Sequence, residues 1–303
     1  MGLFDIFKRK KTDQELAEEH LTNLLAAIPS TPSAPKSIPD PGPGLTEAQR
    51  ARFGELSKPA LALLATSASG FSKLGGTPSW PKTFSWPTWQ DEPLQFIAQL
   101  DLSTIETLPD GVEMPRKGHL YFFMDPEQLE WQDDDQNAWR VLYHDGGGSV
   151  FDTCSWPDDL DDAYRLPEKN VSPSIVPTYP DTFDDVVQDM DLSERQHEEH
   201  MALSREPFDS GPCHQMFGHA NPIQVNGMAL QCQEMTLDFD PDDEEGFRKF
   251  KEGADDWLLL LQVDSDTDLN LVWGDVGRIY YWIRKEDLAK GRFENVWVIL
   301  QCS

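Results

Sequence analysis

Residues 257–288 read WLLLLQVDSDTDLNLVWGDVGRIYYWIRKEDL, an apolar run and an aromatic run on either side of an acidic turn. The first run, 257–263, is interrupted only by Gln262, and the second, 279–283, is β-branched and aromatic throughout, so both fit strands buried on a pleated surface. A second copy lies upstream. Residues 94–101, LQFIAQLD, end in Gln-apolar-Asp as LLLLQVD does, and 118–129, GHLYFFMDPEQL, follow 277–288, GRIYYWIRKEDL, in polarity. The matched units predict an α+β fold on a complex, largely antiparallel sheet with an internal pseudo-duplication.

Further out, Gly218-His219-Ala220-Asn221-Pro222 precedes the second unit much as Gly75-Gly76-Thr77-Pro78 precedes the first. An insertion at 238–253 carries Glu244, Glu245, Arg248, Lys249 and Lys251 and predicts a short solvated helix, and FENVWVIL at 293–300 predicts a closing strand. The stretch 71–89 mixes Gly and Pro with Trp80, Trp86 and Trp89 and reads as an irregular loop packed by its own rings. Thr46 with Gln49 forms a capping box for a helix reaching Leu56, and Thr12 with Glu15 opens an earlier one. Between these peripheral N-terminal helices, residues 29–44 (PSTPSAPKSIPDPGPG) are a stiff extended linker. The expected organisation is a helix and linker over 1–44 and one domain over 45–303, with similar halves at roughly 45–191 and 192–303. The middle, up to Gln196, reads as Pro-, Asp- and Tyr-rich connection.

Of the 303 residues, 54 are acidic and 25 basic, a net charge of -29, and outside Lys8-Arg9-Lys10-Lys11 no basic stripe is interleaved with aromatics, which argues against a nucleic-acid partner. A basic protein partner suits the charge, with the acidic loops at Asp133–Asp135, Asp158, Asp159, Asp161, Asp162 and 238–245 as contact points. Cys154, Cys213, Cys232 and Cys302 include no CxxC pair, no apolar run reaches the roughly 18 residues of a membrane span, and no signal segment stands out, so a cytoplasmic setting is expected.

Five segments carry a family likeness: SKLGGTPSWP, PLQFIAQLDL, GHLYFF, LLLQVDSD and WGDVGRIYYWI. Together, over about residues 45–302, they resemble the bacterial YwqG-like family. The resemblance implies an α+β fold with internal similarity and no established activity. Its association with toxin-immunity neighbourhoods implies a binding role.

Four groups of residues are candidates for chemistry. His197, His200, His214 and His219 fall close together in sequence, and His197 and His200 share a helix face at i and i+3, but HEEH is not the zincin HExxH pattern, and no metal or other cofactor is expected. Asp264, Asp266, Asp268, Asn270 and Asp275 imitate an EF-hand spacing, yet Leu269 stands where the hinge glycine is required, so an acidic connecting loop pinned by Asp264, as by Asp101, is the expectation. Gln99 and Gln262 each interrupt a buried strand and are expected to act as a polar pair, either structural or lining a ligand pocket. Trp80, Trp86 and Trp89 form either a packed loop or a partner platform. No G-x-S-x-G elbow is present. Two readings follow: a non-catalytic interaction protein, such as one of the immunity or antitoxin kind, or a small-ligand-binding or metal-dependent hydrolytic protein using the 197–219 region.

Overall fold

The computed structural model describes residues 43–127, 138–147, 151–209, 211–224, 227–236 and 244–302. The Thr12 helix, the proline-rich linker up to residue 42 and the acidic stretches at 133–135 and 238–243 lie outside the described residues. Residues 43–302 belong to one compact unit.

The strands are β1 (Lys58–Ala65), β2 (Lys73–Leu74), β3 (Ser79–Pro81), β4 (Thr88–Trp89), β5 (Glu92–Pro93), β6 (Gln95–Asp101), β7 (His119–Met124), β8 (Trp139–His144), β9 (Phe151–Thr153), β10 (Lys169–Thr178), β11 (Gln215–Met216), β12 (Trp257–Asp264), β13 (Arg278–Arg284) and β14 (Trp297–Gln301). Ten of them form one sheet, ordered β14-β13-β12-β11-β1-β10-β2-β6-β7-β8, and every recorded pairing is antiparallel.

The sheet curls until its two edges meet, so it is nearly a barrel. Trp139 of β8 packs edge-on against Trp297 of β14, with ring centroids 5.2 Å apart, and its indole N–H donates to the Val296 carbonyl at 2.9 Å. Across the interior Phe122 of β7 meets Tyr281 of β13 at 5.2 Å. Both aromatic hairpins are buried on both faces, which is why their sequences are continuous apolar runs rather than alternating ones. Leu120, Phe122 and Met124 fill the interior, whereas Tyr121 and Phe123 point outward and are covered by Trp80, Phe84 and Trp86.

The central pair β1–β10 could not be read from sequence. β10 contains Pro173 and Pro177, residues that argue against a central strand because proline donates no ladder hydrogen bond. They stand an even number apart, so both nitrogens face away from β1, toward an edge that β2 covers only at Lys169 and Asn170. The stretch expected to be connection therefore supplies a central strand. β1 pairs on its other side with β11, and β10 with β2, so this central pair joins the strands near the C-terminus to β2, β6, β7 and β8. The closing strand begins at Trp297, after a 3-10 turn at Phe293–Asn295. The capping box at Thr46 opens the helix Glu47–Leu56, and the solvated helix is Glu244–Ala254, laced by Lys249–Glu245 and Arg248–Glu252 pairs.

Each Gln-apolar-Asp strand makes the same bonds. In the first half, Ser79 N–H donates to Gln99 Oε1 (2.8 Å), Gln99 Nε2 to the Phe71 carbonyl (2.6 Å), Tyr121 OH to the Ser79 carbonyl (2.9 Å) and Asp101 N–H to Ser72 Oγ (3.0 Å). In the second, Asn221 N–H donates to Gln262 Oε1 (2.9 Å), Gln262 Nε2 to the Cys213 carbonyl (2.8 Å), Tyr280 OH to the Asn221 carbonyl (2.8 Å) and Asp264 N–H to His214 Nδ1 (3.1 Å). Both strands carry a register shift, between Phe96 and Ala98 and between Leu259 and Leu261. Each glutamine thus ties the preceding loop to the sheet with both ends of its amide. Gln262→Met, similar in volume but unable to make either bond, strands a buried N–H and carbonyl and is expected to lower unfolding free energy by about 2 kcal/mol in a urea titration.

Candidate functional site

The loop that Gln262 ties down carries residues 217–222 and closes one wall of a pocket of about 330 Å³. Phe217 and Gly218 both adopt left-handed backbone conformations, φ 62° and 73°. A Cβ at position 218 would collide with Thr178 Oγ1 and Ala60, so only glycine lets Thr178 approach and accept from His219 N–H at 2.9 Å. The helix Glu194–Arg205 supplies His200, Met201, Ser204 and Arg205 to the opposite wall, and the segment after β10 supplies Tyr179, Asp181, Thr182 and Phe183.

Gln215 and Arg278 also line the pocket. Gln215 is 1% exposed, and its Nε2 gives both hydrogens away, to the carbonyls of Phe217 and His219, each at 2.9 Å. Arg278 sits opposite Asp264 in the β12–β13 register. Its Nε lies 2.9 Å from Asp264 Oδ1, while Nη1 donates to Asn221 O and Oδ1 at 2.7 and 2.8 Å. Burial alone would lower the guanidinium pKa; Asp264 more than offsets this, so Arg278 stays charged. Burial raises the Asp181 carboxyl, helped by the nearby Asp184 charge.

Of the four histidines, His200 and His219 reach this pocket. The His219 ring is held through Nε2 by the Leu56 carbonyl at 2.9 Å, and the His200 ring stacks on Phe53 at 4.3 Å; burial lowers both pKa values. His214 points elsewhere. Its Nδ1 accepts from Asp264 N–H, so Nε2 carries the proton and donates to Asp266 Oδ2 at 3.1 Å. His197 does not line the pocket, and among the described residues no group of three or more His, Cys, Asp or Glu is arranged to hold a metal ion. Among the described residues neither pocket histidine bonds a hydroxyl or thiol, and burial raises the thiol pKa of Cys213.

The acidic loop after β12 does not converge on one point. Asp264 takes Arg278 and the Cys213 N–H, Asp266 takes Lys169 at 2.7 Å and His214, and Asp268 shares Lys169 at 3.0 Å. Asp101 pins its loop as expected, accepting from Ser103 N–H, but in the second half that duty falls to Asp266, which accepts from Asp268 N–H, because Asp264 is committed to Arg278. Burial by itself would raise Asp266, yet its bonds from His214 and Lys169 hold it well below the usual carboxylate range. A depressed folded pKa means a stabilising contribution present above the unfolded value of 3.8 and lost as pH falls below it. Below about pH 4, wild-type stability should therefore drop more steeply than that of Asp266→Asn, the gap between the two narrowing with each step down in pH in urea titrations.

Trp80 is buried, and Trp86, its indole bonded to the Leu94 carbonyl at 2.7 Å, and Trp89 are half-buried. Trp80, 5% exposed, packs against Phe84, Trp86, Tyr121 and Phe123. Asp158, Asp159, Asp161 and Asp162 are exposed; Asp161 caps Ala163 N–H at 2.8 Å and Asp162 pairs with Arg165 at 2.7 Å. A larger groove of about 920 Å³ borders the same loop through His219 and Ala220, but its Lys58, Asp110, Asp184, Asp255 and Lys285 are not buried, so it lacks a convergent set of desolvated polar groups. Sequence reasoning missed Gln215, Asn221, Arg278 and Asp181 as site residues. The available signal was the place of Arg278 in the matched hairpins, where the first half has His119.

A family model described as a domain of unknown function, DUF1963, matches residues 72–302. No curated protein matches the chain. No helix among the described residues is long and apolar enough to cross a membrane.

Proposed function

Because the chain belongs to the DUF1963 family, a domain of unknown function, its activity has to be read from its own residues, and we propose that it is a non-catalytic small-ligand-binding protein whose site is the pocket at Gln215, Asn221 and Arg278. Within that family we assign it to the YwqG-like group on the five segments quoted above.

The observation that carries the reading is a contrast between halves that we take to be a pseudo-duplication. The residue opposite Gln99 is Lys73, whose ammonium is paired with Glu168 at 2.6 Å. The residue opposite Asp101 is His119, whose ring is covered by Phe71 at 4.0 Å and Phe151 at 4.8 Å. The corresponding residues of the second half, Gln215 opposite Gln262 and Arg278 opposite Asp264, line an open pocket instead. One half is closed by its own side chains and the other is left open. Buried polar groups converging on a concavity are the usual anatomy of a small-molecule site, and about 330 Å³ lies at the lower end of the roughly 300–1,000 Å³ range.

The test is to purify the protein from its native host, release bound small molecules by heat and compare them by mass spectrometry with those from Ser204→Trp, which fills the pocket from its helix wall. A compound enriched about tenfold or more with the wild type supports the reading, and identical profiles contradict it.

A further inference from the structure

The bonding inventory of the pocket also constrains what it takes, an inference that rests on the small-ligand reading above. Once Gln215 Nε2 has given both hydrogens to Phe217 and His219, its Oε1 is left without a donor among the described residues, an acceptor on a side chain 1% exposed. Arg278 is ion-paired through Nε with Asp264 and donates from Nη1 to Asn221, and none of these contacts uses Nη2. The pocket lining therefore carries an amide oxygen on Gln215 and a guanidinium nitrogen on Arg278 that these bonds leave unused, with the Asp181 carboxyl and the His200 ring, whose two nitrogens are unpartnered among the described residues, on the same lining.

Charge narrows the class. Arg278 is already neutralised by Asp264 at 2.9 Å, and the whole chain stands at -29, so a ligand of net negative charge would enter against the field, whereas one with opposite charges at adjacent positions would not. The mouth is apolar. Phe183 and Met201, 57% and 56% exposed, both line the pocket, placing hydrophobic surface beyond the polar floor. The geometry points to a small zwitterion of the α-amino-acid type with an apolar side chain. Its carboxylate meets Arg278 Nη2, its ammonium meets Gln215 Oε1 and Asp181, and its side chain lies between Phe183 and Met201.

The experiment is isothermal titration of the full chain with L-leucine, L-methionine and L-phenylalanine, each beside its amide, which lacks the carboxylate, and its N-acetyl derivative, which lacks the ammonium. At least one parent amino acid should bind with Kd below about 1 mM, and both of its derivatives should bind at least tenfold more weakly. Asp181→Asn, which retains the oxygen that accepts from Phe183 N–H, should weaken the parent several-fold and leave its N-acetyl derivative unchanged. An amide or N-acetyl compound that matches its parent overturns the zwitterion assignment; if Ser204→Trp abolishes that binding, the pocket reading still stands. Absence of binding by every compound up to about 10 mM also overturns the assignment, and the pocket reading is then decided by the released-compound comparison alone.

Discussion

Arg278→Met is expected to lower the unfolding free energy by about 3–5 kcal/mol, because it leaves Asp264 as an uncompensated buried charge. Asp264 keeps only the Cys213 N–H at 2.9 Å once the guanidinium is gone, and Asn221 loses the donor to its carbonyl and amide oxygen that fixes the pocket loop. The cost belongs to the broken pair rather than to the worth of the pair itself. Removing both charges, as in Arg278→Met with Asp264→Leu, should therefore recover at least half of the loss, measured by urea titration of the four proteins of the cycle. A double variant as unstable as the sum of the two singles would show that Arg278 and Asp264 are not coupled.

The second large effect is expected at the seam of the sheet. Trp139 is 5% exposed, and its ring and indole N–H join β8 to β14 across the gap between the two edges. Trp139→Ala opens a cavity there and exposes two strand edges, for an expected loss of about 3–5 kcal/mol. Trp139→Phe retains most of the packing against Trp297 and loses the bond to Val296, so its loss should be nearer 1 kcal/mol. Equal losses for the two variants would mean that the seam contributes little beyond that hydrogen bond.

How much of this was legible in the sequence depends on the range over which each feature is determined. Strands β6, β7, β12 and β13 are continuous apolar and aromatic runs whose burial on both faces is written locally, and the capping box at Thr46 is complete within four residues. Gln99 and Gln262 could be singled out because a polar residue inside such a run demands partners. Those partners, the loop backbone at Phe71 and Ser79 and at Cys213 and Asn221, could not be named in advance. β10 was missed because proline argues against a central strand, and only the register with β1 and the shortness of β2 show that Pro173 and Pro177 face an edge that needs no donor.

The same distinction applies to the site. Four histidines close in sequence drew attention to the 197–219 region, but the fold sends His214 to Asp266, pins His219 to Leu56 and stacks His200 on Phe53. The residue that gives the pocket its chemistry is Arg278, contributed by a strand more than fifty positions beyond Asn221. Nothing local marks that arginine apart from its match to His119.

In the proposed function, a small molecule binds at Gln215, Asn221 and Arg278 and none binds at Gln99, Lys73 and His119. A crystallographic fragment screen enriched in small amino- and carboxylate-bearing compounds tests it most directly. Bound fragments are expected in contact with Gln215 and Arg278, and none displacing Phe71 or Phe151 from His119. A pocket that stays empty across the library, while fragments settle in the larger groove at Met228 and Trp257 or on the Trp86 loop, would contradict it.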